Sequence, residues 1–201
     1  KTENQENYIV AMAEADVTFC SGPAGSGKTA VSVGMACEYI LSNKVEKIVI
    51  TRPVVESGRG IGFLPGTMTE KIHPYMVPTI EEIKLYLGLE TFNSMRATNT
   101  IEICPLEYMR GRNFHNAFMI LDEAQNATFE QIKMFLTRIG IGSKAVINGD
   151  LDQTDLKGEA FGGLRRCMSS LQNLRGVQIC ELTNEDIVRN GIISRILNRL
   201  K

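Results

Sequence analysis

The chain lacks the residues from which metal sites are usually assembled. It has only two histidines, His73 and His115, and its five cysteines contain no C-x-x-C pair. An odd cysteine count without paired spacing argues against a zinc site and against a disulfide framework. Cys20, Cys104 and Cys180 lie in or beside apolar runs, where small buried side chains are expected. An excess of charge of either sign is also missing. The formal net charge is −1, so no global basic field advertises nucleic acid, and only a local patch stays open. No apolar run approaches membrane-spanning length, and the first residues lack the basic-then-apolar pattern of a signal peptide. A soluble, cytoplasmic protein without a membrane partner is the expectation. There is no internal repeat and no low-complexity stretch.

What is present is an ordinary core, with 43% hydrophobic residues in 201, enough for one domain. Short apolar segments alternate with helical patterns. Strands are predicted from Val17, over Lys47 to Arg52, Ile101 to Cys104, Ala117 to Leu121, Lys144 to Asn148 and Val177 to Glu181. Helices are predicted over Tyr8 to Ala15, Ala30 to Leu41, Met68 to Gly88 (interrupted near Pro74 and Pro78), Thr91 to Thr98, Thr128 to Ile139, Ala160 to Ser169 and Asn184 to Leu200. Thr128 and Gln131 have the spacing of a capping box. The glycine-containing stretch from Val54 to Pro65 reads as an ordered loop. Residues 53–100 read as a loop and helical elaboration within a single domain spanning 1–201. Alternation of this kind implies an α/β fold with a mainly parallel sheet, and strands without polar alternation imply a sheet covered on both faces.

The stretch Gly22-Pro23-Ala24-Gly25-Ser26-Gly27-Lys28-Thr29 fits G-x-x-x-x-G-K-[ST], the phosphate-binding P-loop. Its glycines let backbone N–H groups converge on an anion without a Cβ in the way. Lys28 is a mobile point charge for β- and γ-phosphates, and Thr29 brings a hydroxyl for Mg²⁺. The alternative is a glycine-rich turn with a chance lysine. A strand before the loop and a helix after it, whose N-terminus favours an anion, select the phosphate reading.

In parallel α/β sheets, ligands bind at the carboxyl ends of the strands. The strand at Ala117 ends in Asp122-Glu123. Asp122 is placed to hold the magnesium shell, and Glu123 to reach the water that attacks the γ-phosphate; the competing role is a cap for the following helix. After Asn148 come Asp150 and Gln153, read either as a γ-phosphate sensor or as a plain Asx-turn. Arg189 in the closing pattern reads by itself as a surface partner of Glu185. Arg52, Arg59, Lys71, Arg110 and Arg112 fall in loops near one edge of the sheet, where they either track nucleic-acid phosphates or are merely solvated.

Taken together, the chain resembles the PhoH family, P-loop ATPases related to the first RecA-like domain of superfamily-one helicases. The resemblance is carried in order by Gly22 to Thr29, Thr51 to Glu56, Gly62 to Gly66 with Glu70-Lys71 and Pro74-Tyr75, Met109 to Arg112, Leu121 to Asn126, Gly149-Asp150 with Gln153 and Asp155-Leu156, and Asp186 to Arg189. It implies a three-layer RecA-like fold and Mg²⁺-dependent ATP hydrolysis. It also implies that Gln5 reads adenine, that Gln153 is the sensor, and that Arg189 is an arginine finger reaching a neighbour's γ-phosphate. Homo-oligomeric rings of six copies and single-stranded RNA or DNA are the implied partners. Some members carry a PIN nuclease domain; 201 residues leave no room for one, so no nuclease activity is expected. Asn113 and Asn190 depart from the family pattern, which often has threonine and usually histidine there. Two rivals are a phosphotransferase on a small molecule, against which Glu123 beside Asp122 argues, and a nucleotide-switched binding or assembly module without unwinding activity.

Overall fold

Every residue of Ala117–Leu121 is buried to the point of having no solvent exposure. A strand with no polar side must be covered on both faces, and the whole architecture follows from that requirement. The computed structural model describes residues 1–53, 68–154, 156, 162–187 and 199, the side chains of 68–72 excepted. Within them run α1 (Glu3–Glu14), β1 (Val17–Ser21), α2 (Lys28–Leu41), β2 (Lys47–Arg52), α3 (Met68–Leu87), α4 (Leu89–Ala97), β3 (Ile101–Pro105), β4 (Ala117–Leu121), α5 (Phe129–Leu136), β5 (Lys144–Gly149), α6 (Gly163–Leu171) and β6 (Val177–Glu181). The strands form one sheet in the order β3-β2-β4-β5-β1-β6, and every pairing is parallel.

Alternate strand residues feed two cores. Ile48, Ile50, Phe118 and Ile120 pack against Tyr8 and Met12 of α1, Val33 and Ile40 of α2, Ile83 of α3 and Phe92 of α4. Tyr39 meets Phe118 edge-on, with ring centroids 5.3 Å apart, a favoured aromatic geometry. Val49, Met119 and Leu121 face the other way, onto Leu106, Met109, Ile132, Phe135 and Leu164. The result is the three-layer α/β fold with a parallel sheet that the sequence pattern predicts. All five cysteines are free thiols, Cys180 half-buried and the others buried.

The helices depart from expectation in instructive ways. α1 begins at Glu3 rather than near Tyr8, because Thr2 and Gln5 form a capping box. α3 runs unbroken through Pro74 and Pro78. Both prolines lie one turn apart on the exposed side, with Met76 and Thr79 buried beside them, so the carbonyls each proline leaves unpaired are on the face where water can reach them. The Thr128–Gln131 capping box forms as expected, but α5 stops at Leu136. Asn184–Asp186 is a 3₁₀ turn and Ile187 is extended, so no α-helix starts at Asn184. The loop reading for Val54 to Pro65 lies outside the described residues.

The registers bring the strand ends level. Ser21 pairs with both Gly149 and Glu181, and Thr51 pairs with Leu121. Three further hydrogen bonds lash the departing loops together: Gly22 N–H to Gly149 O at 3.1 Å, Asp122 N–H to Thr51 O at 2.9 Å and Leu182 N–H to Ser21 O at 2.8 Å. Since β5 separates β1 from β4, the glycine-rich loop and Asp122 flank the end of β5.

Candidate active site

The loop from Gly22 to Thr29 leads from the end of β1 into the first turn of α2. Gly25 and Gly27 have φ of +81° and +95°, conformations that L side chains rarely adopt. A Cβ on Gly27 would also sit 2.9 Å from Gln5 Nε2. Lys28 reaches back across the loop, donating to Gly22 O at 2.6 Å and Pro23 O at 2.9 Å. Ser26 is buried and donates its hydroxyl to Pro23 O at 2.8 Å. Ala24 and Gly25 are exposed at the tip.

Thr29, in the first turn of α2, donates its hydroxyl to the Asp122 carboxylate, 3.0 Å from Oδ1 and 3.1 Å from Oδ2. Asp122 is buried. Burial pushes its carboxyl up to about 6, the neighbouring Glu123 carboxylate pushes the same way, and the Thr29 hydroxyl and Arg52 oppose them. A cation placed here would favour the ionised carboxylate against burial and its neighbour's charge. An all-oxygen donor pair of hydroxyl and carboxylate fits a hard divalent ion such as Mg²⁺.

Glu123 follows in the left-handed region, φ +54°, which is uncommon for a non-glycine residue and concentrates at functional sites. This turn swings its carboxylate between two partners. Gln125 Nε2 donates to Glu123 Oε2 at 2.6 Å, and Arg52 Nη2, from the end of β2, stands 3.9 Å from Glu123 Oε1. Gln125 also accepts the Asp150 N–H on its Oε1 at 3.0 Å, so one amide bridges the ends of β4 and β5. Its backbone carbonyl takes the Thr154 hydroxyl at 2.9 Å. Gly149 is the residue that admits this bridge: a Cβ there would lie 2.3 Å from Leu164 Cδ2 and 3.1 Å from Gln125 Oε1.

The sequence readings for other residues meet a different outcome. Asp150 forms an Asx-turn, its Oδ1 accepting the Asp152 N–H at 3.0 Å. Gln153 is exposed on the same turn, where its backbone N–H reaches Asp150 O at 3.4 Å; the amide that spans the strand ends belongs to Gln125. Gln5 is buried and acts as a strut. Its Nε2 donates to Ser26 O at 2.9 Å and to Asp186 O at 3.4 Å, and its Oε1 accepts the Thr2 N–H at 3.1 Å. Both amide hydrogens therefore serve the fold, and reading a base would require giving one up. Arg112 grips Glu102 with two bonds, of 2.6 and 2.8 Å, and stacks on Phe114. Arg52 belongs to the site itself. Arg110 is exposed beside a hollow of about 450 Å³ that Leu106 and Met134 also line. Arg59 and Arg189 lie outside the described residues, as does the side chain of Lys71.

All of the chain, residues 1–201, matches the family described as PhoH-like protein. The chain belongs to the PhoH-like family. It is 44% identical over 198 residues to a PhoH-like protein of Mycobacterium tuberculosis, covering 98% of this chain and 56% of that one. It is 42% identical over 197 residues to a PhoH-like protein of Synechocystis sp., covering 98% and 60%. Against Protein PhoH of Escherichia coli it is 38% identical over 200 residues, covering 98% and 56%. The chain thus spans somewhat over half the length of these curated relatives.

Solved structures carry the same fold. The large terminase from the thermophilic bacteriophage D6E aligns with a TM-score of 0.63 at 12% identity, over all of this chain and 50% of that one. The UvsW helicase from bacteriophage T4 aligns with a TM-score of 0.55 at 13% identity, over 90% and 59%. A crystal form of the terminase in complex with ADP aligns at 0.59, with 10% identity, over all of this chain and 50% of that one. The PhoH-like chain therefore shares the RecA-like α/β fold of these terminase and helicase domains, with its P-loop sequence at Gly22 to Thr29.

Two features beneath the loop are invisible to motif reading. Tyr8 donates its hydroxyl to Asn148 Oδ1 at 2.6 Å, Asn148 Nδ2 donates to Ser32 Oγ at 2.8 Å, and Ser32 Oγ donates to Thr29 O at 3.0 Å. This chain of buried polar groups ties α1, β5 and the start of α2 directly under Thr29. Gln125 is the other. It stands in the Leu121 to Asn126 run, but its role depends on the left-handed turn at Glu123. Beside the loop, a polar cleft of about 350 Å³ opens between Gly22, Asp152, Thr183 and Arg165, the last exposed on α6.

Proposed function

We propose that this domain binds ATP with Mg²⁺ and hydrolyses it. The observation that carries the reading is the Thr29–Asp122 pair with Glu123 beside it, facing a glycine-rich loop at the carboxyl ends of a parallel sheet. A polyphosphate entering the loop would draw Lys28 away from the Gly22 and Pro23 carbonyls. Thr29 and Asp122 would hold Mg²⁺, which when bound neutralises charge on the phosphates. Glu123, oriented by Gln125, accepts the proton of the attacking water. Gln153 enters as a sensor only by moving in from the exposed turn.

The same reading places the protein on single-stranded nucleic acid, with copies arranged in a ring. The helicase named among its structural neighbours and the exposed Arg110 support the first part. In the ring, a neighbouring copy closes the open side of the nucleotide and Arg189 is the candidate finger, a contribution worth about 10³–10⁵ in rate. Five free thiols suit a reducing cytoplasm, and no helix among the described residues is long and apolar enough to cross a membrane.

The deciding experiment measures ATP turnover without any acceptor, beside nucleotide affinity, for wild type and Glu123→Gln. Turnover in wild type that falls at least a hundredfold in the variant, with affinity retained, is expected. Turnover that appears only when a small-molecule acceptor is added would replace hydrolysis with phosphotransfer. Mixing Arg189→Ala with Glu123→Gln subunits tests the ring: partial rescue is expected, and no rescue in any ratio removes the shared site.

A further inference from the structure

Glu123 is held from two sides, and the two holds differ in kind. The Gln125 bond is short, at 2.6 Å, and comes from a buried amide that is itself anchored on the Asp150 N–H. The Arg52 arm is long. Its Nη2 stops 3.9 Å from Glu123 Oε1, beyond hydrogen-bond range, with the two side chains 25% and 37% exposed. The other nitrogen, Nη1, donates to Tyr75 O on α3 at 3.0 Å. Among the described residues the carboxylate partners of Arg52 are both loose, Glu123 at 3.9 Å and Asp122 through charge alone, which leaves the guanidinium a position for a better anion. Its planar fork matches phosphate oxygens, which it binds through two parallel bonds.

We propose that Arg52 is a phosphate-operated brake on Glu123: it draws the carboxylate toward β2, and a nucleic-acid phosphate that takes the guanidinium releases the carboxylate to the attacking water. Arg52 is then a positioning residue, acting on the reaction through Glu123, and hydrolysis is coupled to the polyanion through the end of β2. The inference rests on the ATP-hydrolysis reading above and names what regulates that site.

The test compares steady-state ATP turnover of wild type, Arg52→Gln and Arg52→Lys at low salt, with and without an oligouridylate, and with inorganic phosphate as the free-anion control. Thermal melting establishes that each variant is folded. Wild type is expected to accelerate with oligouridylate. Arg52→Gln is expected to turn over faster than wild type without it, by about two- to fivefold, the weight of a half-exposed ion pair. Its KM for ATP stays in place and further acceleration is lost. Arg52→Lys, which keeps the charge without the fork, retains part of the brake. Acceleration by inorganic phosphate would assign the trigger to free anions, and acceleration by oligouridylate alone to a polymer backbone; both keep the brake. Arg52→Gln turning over at or below the wild-type rate, with the oligouridylate response intact, overturns the proposal. If neither wild type nor Arg52→Gln hydrolyses ATP, the hydrolysis reading itself fails and this inference with it.

Discussion

Gln125 donates its side-chain amide to Glu123 Oε2 at 2.6 Å while its Oε1 accepts the Asp150 N–H at 3.0 Å. One side chain thus fixes the carboxylate proposed to activate water and pins the turn after β5 to it. Replacing Gln125 by alanine leaves the first unoriented and the second without an acceptor. Turnover is expected to fall about ten- to a hundredfold with the KM for ATP little changed, as for other groups that orient a catalytic one. Gln125→Glu keeps an acceptor for Asp150 but sets like charges together, so it should recover neither turnover nor full stability. Arg52→Gln moves turnover the opposite way. Steady-state kinetics on the three variants read this contrast directly, and a fall in all three would mean that both partners simply position Glu123.

The buried chain from Tyr8 through Asn148 and Ser32 to Thr29 O has no solvent to replace a lost member. Asn148→Ala strands the Tyr8 hydroxyl and opens a cavity under α2. A loss of about 3 kcal/mol is expected. Tyr8→Phe removes the same bond from the other end and leaves one lone pair unmet, so it should cost about 1 kcal/mol. Chemical denaturation of the two single variants and the double variant checks this, with the double falling short of the sum because both remove one bond.

How much of this was legible beforehand depends on how local each pattern is. The Ala117–Leu121 strand and the Thr128–Gln131 cap are written in contiguous residues, and each forms; the glycine-rich loop and the Asp122-Glu123 pair are equally local, and the fold sets Thr29 against Asp122. The Arg112 ion pair is invisible in sequence because its partner Glu102 lies on β3, and nothing in the Met109 to Arg112 run betrays it. Gln5 carries two possible roles in one side chain, and the hydrogen bonds to Thr2 and Ser26 become visible only when α1 is docked under the loop. Gln125 was missed because its reach depends on a positive φ at a glutamate, which no propensity scale anticipates. The prolines of α3 read as breaks because sequence alone does not say which face of the helix will be wet.

Thr51 supplies a test of opposite sign. It is fully buried, its carbonyl takes the Asp122 N–H, and its hydroxyl has no partner among the described residues. Thr51→Val keeps the shape and removes the unsatisfied oxygen. Stability is expected to hold or rise by about 1 kcal/mol, which for a chain of this size lifts the melting temperature by about 2–4 °C. A drop of several degrees would show that the hydroxyl is engaged in solution.

Glu102 gives the fold a defined acid sensitivity far from the nucleotide loop. It accepts two bonds from Arg112, at 2.6 and 2.8 Å, and one ion pair from Lys47 at 2.6 Å. The Arg112 bonds and the Lys47 charge hold its carboxyl down at about 2, against the partial opposition of burial. The group is thus depressed in the folded state, so the unfolded chain binds the proton first as pH falls. The stabilisation is complete above the ordinary glutamate range near 4.5 and drains away as pH drops toward 2. Arg112 is 39% exposed, so solvent screening reduces the benefit, and about 2 kcal/mol at neutral pH is expected rather than the full value of the shift. Glu102→Gln should lose that amount at pH 7 and flatten the stability profile between about pH 4.5 and 2, while ATP turnover at neutral pH stays near wild type. Denaturation midpoints across that range for the two proteins give the answer. Parallel profiles would mean that the cluster contributes nothing to folding, and that Arg112 is free to leave Glu102 for a phosphate after all.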